Sequence, residues 1–367
     1  MKLTESFTLP SGRTLKNRVL MAPMTNSSSH PNGDVTEEEL VYYARRAKSG
    51  LGAIITACAN VEPLGIGFPN AIAADTDERI PSLAKLASAI KDNGSVAILQ
   101  IFHAGRMSNP DLLHGEQPVS ASAVAAIRPD AVTPREMSGE EVDATIRAFG
   151  DATRRAIEAG FDGVEIHGAN TYLIQQFFSP HSNRRTDKWG GDVNERMAFP
   201  LAVIESVKQA VREHAKSPFI IGYRLSPEEQ EEPGITMEDT IKLVEVLAKQ
   251  NVDYIHVSVG NFFTDSIRNK DDQETRVGLI QKAVGDQVPV IGVGALQTSG
   301  QVEKALDVVP LIALGHALIY DPDWLIKVQQ GETPFDVIYR SKKEELDLPE
   351  NLFNMVTNAP GWFKVED

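Results

Sequence analysis

Eight short apolar, β-branched runs alternate with amphipathic stretches of helical period, and this alternation leaves few architectures open. The runs are Arg18 to Met21, Gly52 to Ala57, Val96 to Ile101, Gly163 to His167, Phe219 to Arg224, Tyr254 to Val257, Val288 to Val293 and Leu311 to Leu314. Between them lie Glu37 to Ser49, Ile80 to Asn93, Gly139 to Ala159, Asn194 to His214, Thr236 to Gln250 and Ser299 to Leu306. Strands separated in this way pair in parallel through helical crossovers. Eight such units predict a single α/β domain over residues 1–367, a closed (β/α)8 TIM barrel. The rival open, doubly wound sheet usually carries a glycine-rich turn after its first strand, and Met21-Ala22-Pro23-Met24-Thr25 has no glycine. Phe7 to Val19 alternates about a Pro-Ser-Gly-Arg turn, which predicts a hairpin cap over about residues 1–19 plugging the N-terminal mouth. Residues from about 335 to 367 read as a C-terminal extension.

Composition removes several function classes. No apolar run approaches the roughly 18 residues a membrane helix needs, so no membrane span is expected. A formal net charge of −15 disfavours nucleic acid and anionic membranes as partners, while leaving room for a local phosphate pocket. The N-terminus lacks the apolar core of a secretory signal, and Cys58 is the only cysteine, so no intrachain disulfide forms and a cytoplasmic location is expected. An iron–sulfur cluster needs about four thiolates and a structural zinc site usually two or more. His103, His167, His181, His256 and His316 are scattered singly, and no metal is predicted.

Barrel enzymes place their chemistry at the C-terminal ends of their strands, so residues there carry a functional reading and residues elsewhere a packing one. That filter gathers Pro23, Met24 and Thr25 after the first strand, Ala57 at the second, and Gln100 and His103 at the third. His167, Asn170 and Tyr172 follow the fourth, and Arg224 ends the fifth. His167 and Asn170 can donate to one carbonyl oxygen, while an unperturbed tyrosine, with a pKa of about 10, keeps its proton at neutral pH. Such a set suits reduction of a polarised double bond.

Five segments, RVLMAPMT, QIFHAGR, EIHGANTYLIQQFFSP, NRRTDKWGG and LIALGHALIYDPDW, occur in order between about Phe7 and Trp324. Together they resemble the signature segments of the Old Yellow Enzyme family of FMN-dependent ene-reductases. The resemblance implies FMN as cofactor and NAD(P)H as co-substrate, with Gln100 and Arg224 at the pyrimidine edge of the flavin and Thr25 near its C4 carbonyl. Backbone groups of Pro23, Met24 and Ala57 are implied to edge the ring. Cysteine stands at the Thr25 position in one branch of the family; here the threonine implies no thiol-based tuning, and Cys58 reads as buried packing. His167 and Asn170 resemble the pair gripping the substrate oxygen, and Tyr172 the proton donor in hydride addition to an α,β-unsaturated carbonyl or nitro compound. Ping-pong kinetics with both reactants in one pocket are implied.

At the phosphate end the family has a glycine-rich loop after strand seven and Gly-Arg after strand eight. Here Gly294 retains the close backbone approach, Ala295 stands where a second glycine is frequent, and His316 follows Gly315 in place of arginine. Histidine lacks the permanent charge and fork of arginine. For Asn183, Arg185, Asp187, Gly190 and Gly191 the expected role is pinning the loop after strand four. The family often forms dimers or tetramers, and the apolar C-terminal segment is a candidate for docking on a neighbouring subunit. Two other readings stand beside the ene-reductase. One is a related chemistry on amines or thioesters, although those relatives generally carry an iron–sulfur motif and an additional nucleotide domain. The other is a flavin-free barrel lyase or binding protein, supported by His316.

Overall fold

The computed structural model describes residues Met1–Asp367. Eight parallel strands close on themselves: β1 (Val19–Met21), β2 (Ala53–Asn60), β3 (Val96–Phe102), β4 (Gly163–Gly168), β5 (Ile220–Leu225), β6 (Tyr254–Val257), β7 (Val290–Gly292) and β8 (Leu311–Leu314). Each pairs with its sequence neighbour, β8 pairs with β1, and Leu20↔Ala53 and Met21↔Ile54 complete the ring. A short strand, Ile72–Ala73, adds to the end of β2. The (β/α)8 expectation is borne out, and the strand ends differ from the predicted runs by three residues at most.

The helices start where the sequence offers caps. Thr36, Ser138, Thr236 and Thr298 each accept a bond from the backbone three residues on, while the side chain at that position reaches back. Six helices fall outside the predicted amphipathic stretches, four of them short pieces or C-terminal (Leu173–Phe178, His316–Tyr320, Lys343–Leu346 and Glu350–Asn358) and two in the barrel's outer layer, Arg276–Val284 and Trp324–Gln330. Of these last two, the first holds Gly278 within a short span, and the second is seven residues long, so neither develops a full apolar stripe. No helix is long and apolar enough to cross a membrane.

Two apolar layers result from the alternation of side chains along each strand. The larger lies between the sheet and the helices. The smaller fills the barrel's N-terminal half, where Leu20, Ile55, Ile98, Ile220, Ile291 and Leu311 meet on the axis. Leu9 and Leu15 join that inner cluster from the hairpin Phe7–Thr8 and Thr14–Leu15, so the hairpin does plug the N-terminal mouth. One end of the barrel is thereby sealed with hydrocarbon, and polar groups inside it converge on the other end. Replacing Leu15, fully buried, with alanine is expected to cost about 3 kcal/mol of stability, the usual price of a core cavity, read from the urea unfolding midpoint.

Candidate active site

The C-terminal mouth is built from strand ends in register. Arg224 on β5 stands opposite His167 on β4 and His256 on β6. One level deeper, Gln100 on β3 stands opposite Glu165. Side chains two residues apart on a strand share a face, so Glu165 and His167 both enter the barrel, as do Gln100 and Phe102.

His167 is 3% exposed, and burial together with the nearby Arg224 lowers its pKa to about 3. It is therefore neutral at physiological pH. Its Nδ1 accepts the Ala169 backbone N–H at 3.3 Å, which leaves the proton on Nε2 as a donor. Asn170 follows in a left-handed conformation, φ 56°, with Thr171 likewise at φ 64°. Two successive non-glycine residues of this kind are costly and mark a constrained tip. The tip is held from β5 and β6: the Asn170 backbone N–H donates to Ser226 Oγ at 2.9 Å, and Ser258 Oγ donates to Asn170 Oδ1 at 2.9 Å. With its oxygen engaged, the Asn170 amide presents its Nδ2 hydrogens. Tyr172 lies edge-on to His167, ring centroids 4.9 Å apart, and edge-on to Phe102 at 5.2 Å. Phe68 completes this aromatic wall. Burial raises the Tyr172 pKa above its ordinary value, so the hydroxyl keeps its proton.

A cavity of about 290 Å³ opens beside this group. Pro23, Met24, Arg224, Gly294, Ala295, Gly315 and His316 line it, seven of the ten residues expected at the cofactor. Thr25, Ala57 and Gln100 do not line it. Ala57 is held by the Tyr43 hydroxyl, which accepts the Ala57 N–H at 2.8 Å. Gln100 is 2% exposed and donates through Nε2 to Glu165 Oε1 at 2.7 Å. Cys58 packs against Phe102 and Tyr172, with Sγ 3.9 Å from Thr25 Oγ1, so it borders the site rather than filling remote core. Burial pushes its thiol up to about 12.

The cavity's own polar groups are unsatisfied, and this tests whether an anionic cofactor fits. Arg224 is 7% exposed, has no carboxylate within 4.0 Å, and its Nε has no partner. A buried guanidinium with no carboxylate in contact is expensive. The backbone N–H groups of Gly294, Ala295, Leu296 and Gly315 also donate to no backbone acceptor. Donors of this kind suit a flavin with a terminal phosphate. The structure adds two details at this end. Gly294, φ +138°, is needed by its own neighbours, since a Cβ there would lie 2.6 Å from the Phe262 backbone nitrogen. His316 lines the cavity but packs against Phe363 at 4.3 Å and Trp362 at 5.9 Å, and burial lowers its pKa, so it offers one donor and no charge. Ala295 adopts φ 47°, the conformation glycine takes without strain.

Matching of protein-family models assigns residues 2–334 to the NADH:flavin oxidoreductase / NADH oxidase family. The chain belongs to that family. The resemblance to the Old Yellow Enzymes drawn from the five segments is thus borne out, and FMN with NAD(P)H is the cofactor set the family implies. Among curated proteins, the NADH:fumarate oxidoreductase of Klebsiella pneumoniae (strain 342) is 50% identical over 96% of this chain. The NADH:acrylate oxidoreductase of Vibrio harveyi is 48% identical over 97%. The chain spans only 38% and 36% of the length of those two relatives. A probable NADH-dependent flavin oxidoreductase of Bacillus subtilis (strain 168) is 44% identical over 100% of this chain and 98% of its own length. Among solved structures, the old yellow enzyme homologue from Zymomonas mobilis superposes with a TM-score of 0.81 at 26% identity, covering 95% of this chain and 99% of that one.

Sequence reasoning missed Glu165, Tyr254 and His256. The available signal was a glutamate inside an otherwise apolar strand, two residues before His167. It found the loop anchors: Asn183 Nδ2 donates to the carbonyls of Phe177 and Trp189, and Arg185 pairs with Asp187.

Two outcomes follow from these charges. Arg224→Leu is expected to abolish flavin retention, checked by the flavin fluorescence of the purified variant. For His167 the folded pKa is depressed. Below the ordinary 6.5 the unfolded chain binds a proton that the native state refuses, so its contribution to stability is lost as pH falls from 6.5 toward 3. His167→Asn should flatten that part of the stability–pH curve.

Proposed function

We propose that this protein is an NADH-dependent, FMN-containing oxidoreductase that reduces an activated carbon–carbon double bond. The observation that carries the reading is one mouth holding two neutral donors, His167 Nε2–H and the Asn170 amide, edge-on to the protonated phenol of Tyr172. When bound, FMN supplies the hydride. The chain's own groups do the rest. His167 and Asn170 grip the carbonyl or nitro oxygen, and their preorganised dipoles favour the charge that grows there as the alkene is reduced. A neutral imidazole is the right donor, because it stabilises that oxygen without first surrendering a proton. Tyr172 delivers its proton to the carbon next to the gripped group, from a hydroxyl that no protein acceptor holds. Phe68, Phe102 and Tyr172 enclose the reacting centre in apolar surface and exclude water. Gln100, Arg224, Thr25 and the backbone around Pro23, Met24 and Ala57 hold the flavin ring, and the loops at Ala295 and Gly315 its phosphate. NADH is the proposed donor because all three relatives above carry NADH in their names.

A second reading rests on length. Acrylate and fumarate reduction in the two most identical relatives described above belongs to proteins nearly three times as long as the matched region. In this reading the barrel oxidises NADH and hands electrons to another carrier, and Tyr172 is dispensable. Anaerobic spectra separate the two. The flavin band is expected to bleach with NADH and return with 2-cyclohexenone. Tyr172→Phe should slow the return by at least about 100-fold while leaving the bleaching step unchanged. Return that is equally fast in the variant, or absent in the wild type, favours the electron-donor reading.

A further inference from the structure

The barrel axis carries a carboxylate that the proposed mechanism does not use. Glu165, 0% exposed, sits on β4 one level below His167. Two strands supply its three donors. Gln100 Nε2 on β3 lies 2.7 Å from Oε1; Tyr254 Oη and His256 Nδ1, both on β6, lie 3.0 Å and 2.9 Å from Oε2. The intervening strand β5 must let Tyr254 pass. At that level β5 has Gly222, where a Cβ would lie 2.1 Å from the Tyr254 ring. The glycine therefore exists for the tyrosine, and the tyrosine hydroxyl ends on the glutamate.

Burying a carboxylate costs several kcal/mol unless its lone pairs are used. Here burial alone would raise its pKa, and His256, Arg224 and Gln100 together hold it below the ordinary value, so it is ionised and His256 is neutral. A packed barrel normally fills this level with branched hydrocarbon, and this chain does so everywhere below it. Arg224 gives the reason for the exception. It stands next to His167 and His256 in register, yet no carboxylate comes within pairing distance of it. Glu165 is near enough to offset the guanidinium charge through space while leaving its N–H groups free for a ligand. At the same time it fixes which way the Gln100 amide points, committing Nε2 and leaving Oε1 with no protein donor.

We propose that Glu165 is a positioning residue for the proposed flavin site: one buried anion, held by Tyr254 and His256, orients Gln100 and counterbalances Arg224, and so sets the reduction potential of the bound flavin. The proposal rests on the FMN reading above. Removing the anion leaves Arg224 unopposed, so a reduced, negatively charged flavin is favoured. Removing one of the anion's donors concentrates its charge and disfavours it.

The test uses the full chain loaded with FMN, in wild-type, Glu165→Gln and Tyr254→Phe forms, with midpoint potentials from spectroelectrochemical titration and FMN dissociation constants from fluorescence quenching. Glu165→Gln should raise the potential and weaken FMN binding by about tenfold through the misdirected Gln100 amide. Tyr254→Phe keeps the ring and should lower the potential. Opposite signs are the signature, because simple loosening of the core moves both variants the same way. Shifts of equal sign, or no shift, overturn the proposal. Should Glu165→Gln fail to fold, an unchanged potential in Tyr254→Phe overturns it alone. A wild-type protein that takes up no FMN removes the underlying reading instead, which is a separate result.

Discussion

Closure of the sheet between β8 and β1, where Ala313 stands opposite Leu20, is the constraint on which everything else depends. Eight parallel strands in a ring all present their C-terminal ends on one rim, so Pro23 and His316, near opposite ends of the sequence, line the same cavity. An open sheet of the same strands would leave β1 and β8 as distant edges, with unpaired backbone groups on each. Closure also divides the interior. The hairpin leucines Leu9 and Leu15 complete a hydrocarbon plug at one end, which leaves the other end free to hold polar groups without exposing the core.

Those polar groups are arranged at a cost. Arg224 has no ion-pair partner, Asn170, Thr171 and Ala295 hold left-handed backbone conformations, and His167 is neutral because burial and Arg224 oppose its charge. Each feature destabilises the empty fold, and each is aimed at a ligand. Strain and unpaired charge gathered at one rim are characteristic of sites prepared for binding rather than for folding. The same density of cost occurs nowhere in the sealed half of the barrel, where side chains alternate cleanly between the two apolar layers.

Much of this was legible in the sequence. Strand positions came from apolar runs, because the barrel strands are buried on both faces, and the longer helices from their amphipathic period. The hairpin came from alternation about Gly12, and the catalytic group from its place at strand ends. What resisted reading depends on relations across strands. Glu165 meets Tyr254 only because β5 has Gly222 between them, and no spacing along the chain encodes that register. The contact of Gly294 with the Phe262 backbone likewise lies across two loops. Cys58 read as plain packing, since the bulge between Ile55 and Cys58, which shifts the end of β2, leaves no mark in composition.

His316 shows how a departure from a family pattern is absorbed by its surroundings. An arginine there would bring a charge and a fork of donors, and would need water or an anion at all times. The imidazole instead packs on Phe363 and Trp362, so the C-terminal segment is fastened to the wall of the cavity by aromatic contact. Burial keeps it uncharged. A phosphate at this end therefore meets dipoles, the free N–H groups of Gly294, Ala295, Leu296 and Gly315, in place of a point charge. Dipoles fixed by backbone need no counter-ion when the site is empty, and they hold an anion only if the loop keeps its shape. The strained Ala295 sits at the centre of that loop, and its geometry is maintained by Gly294 packing on the strand-six loop. In the proposed reading, affinity at the phosphate end rests on the rigidity of two backbone segments and the aromatic clasp behind them in place of a side-chain charge.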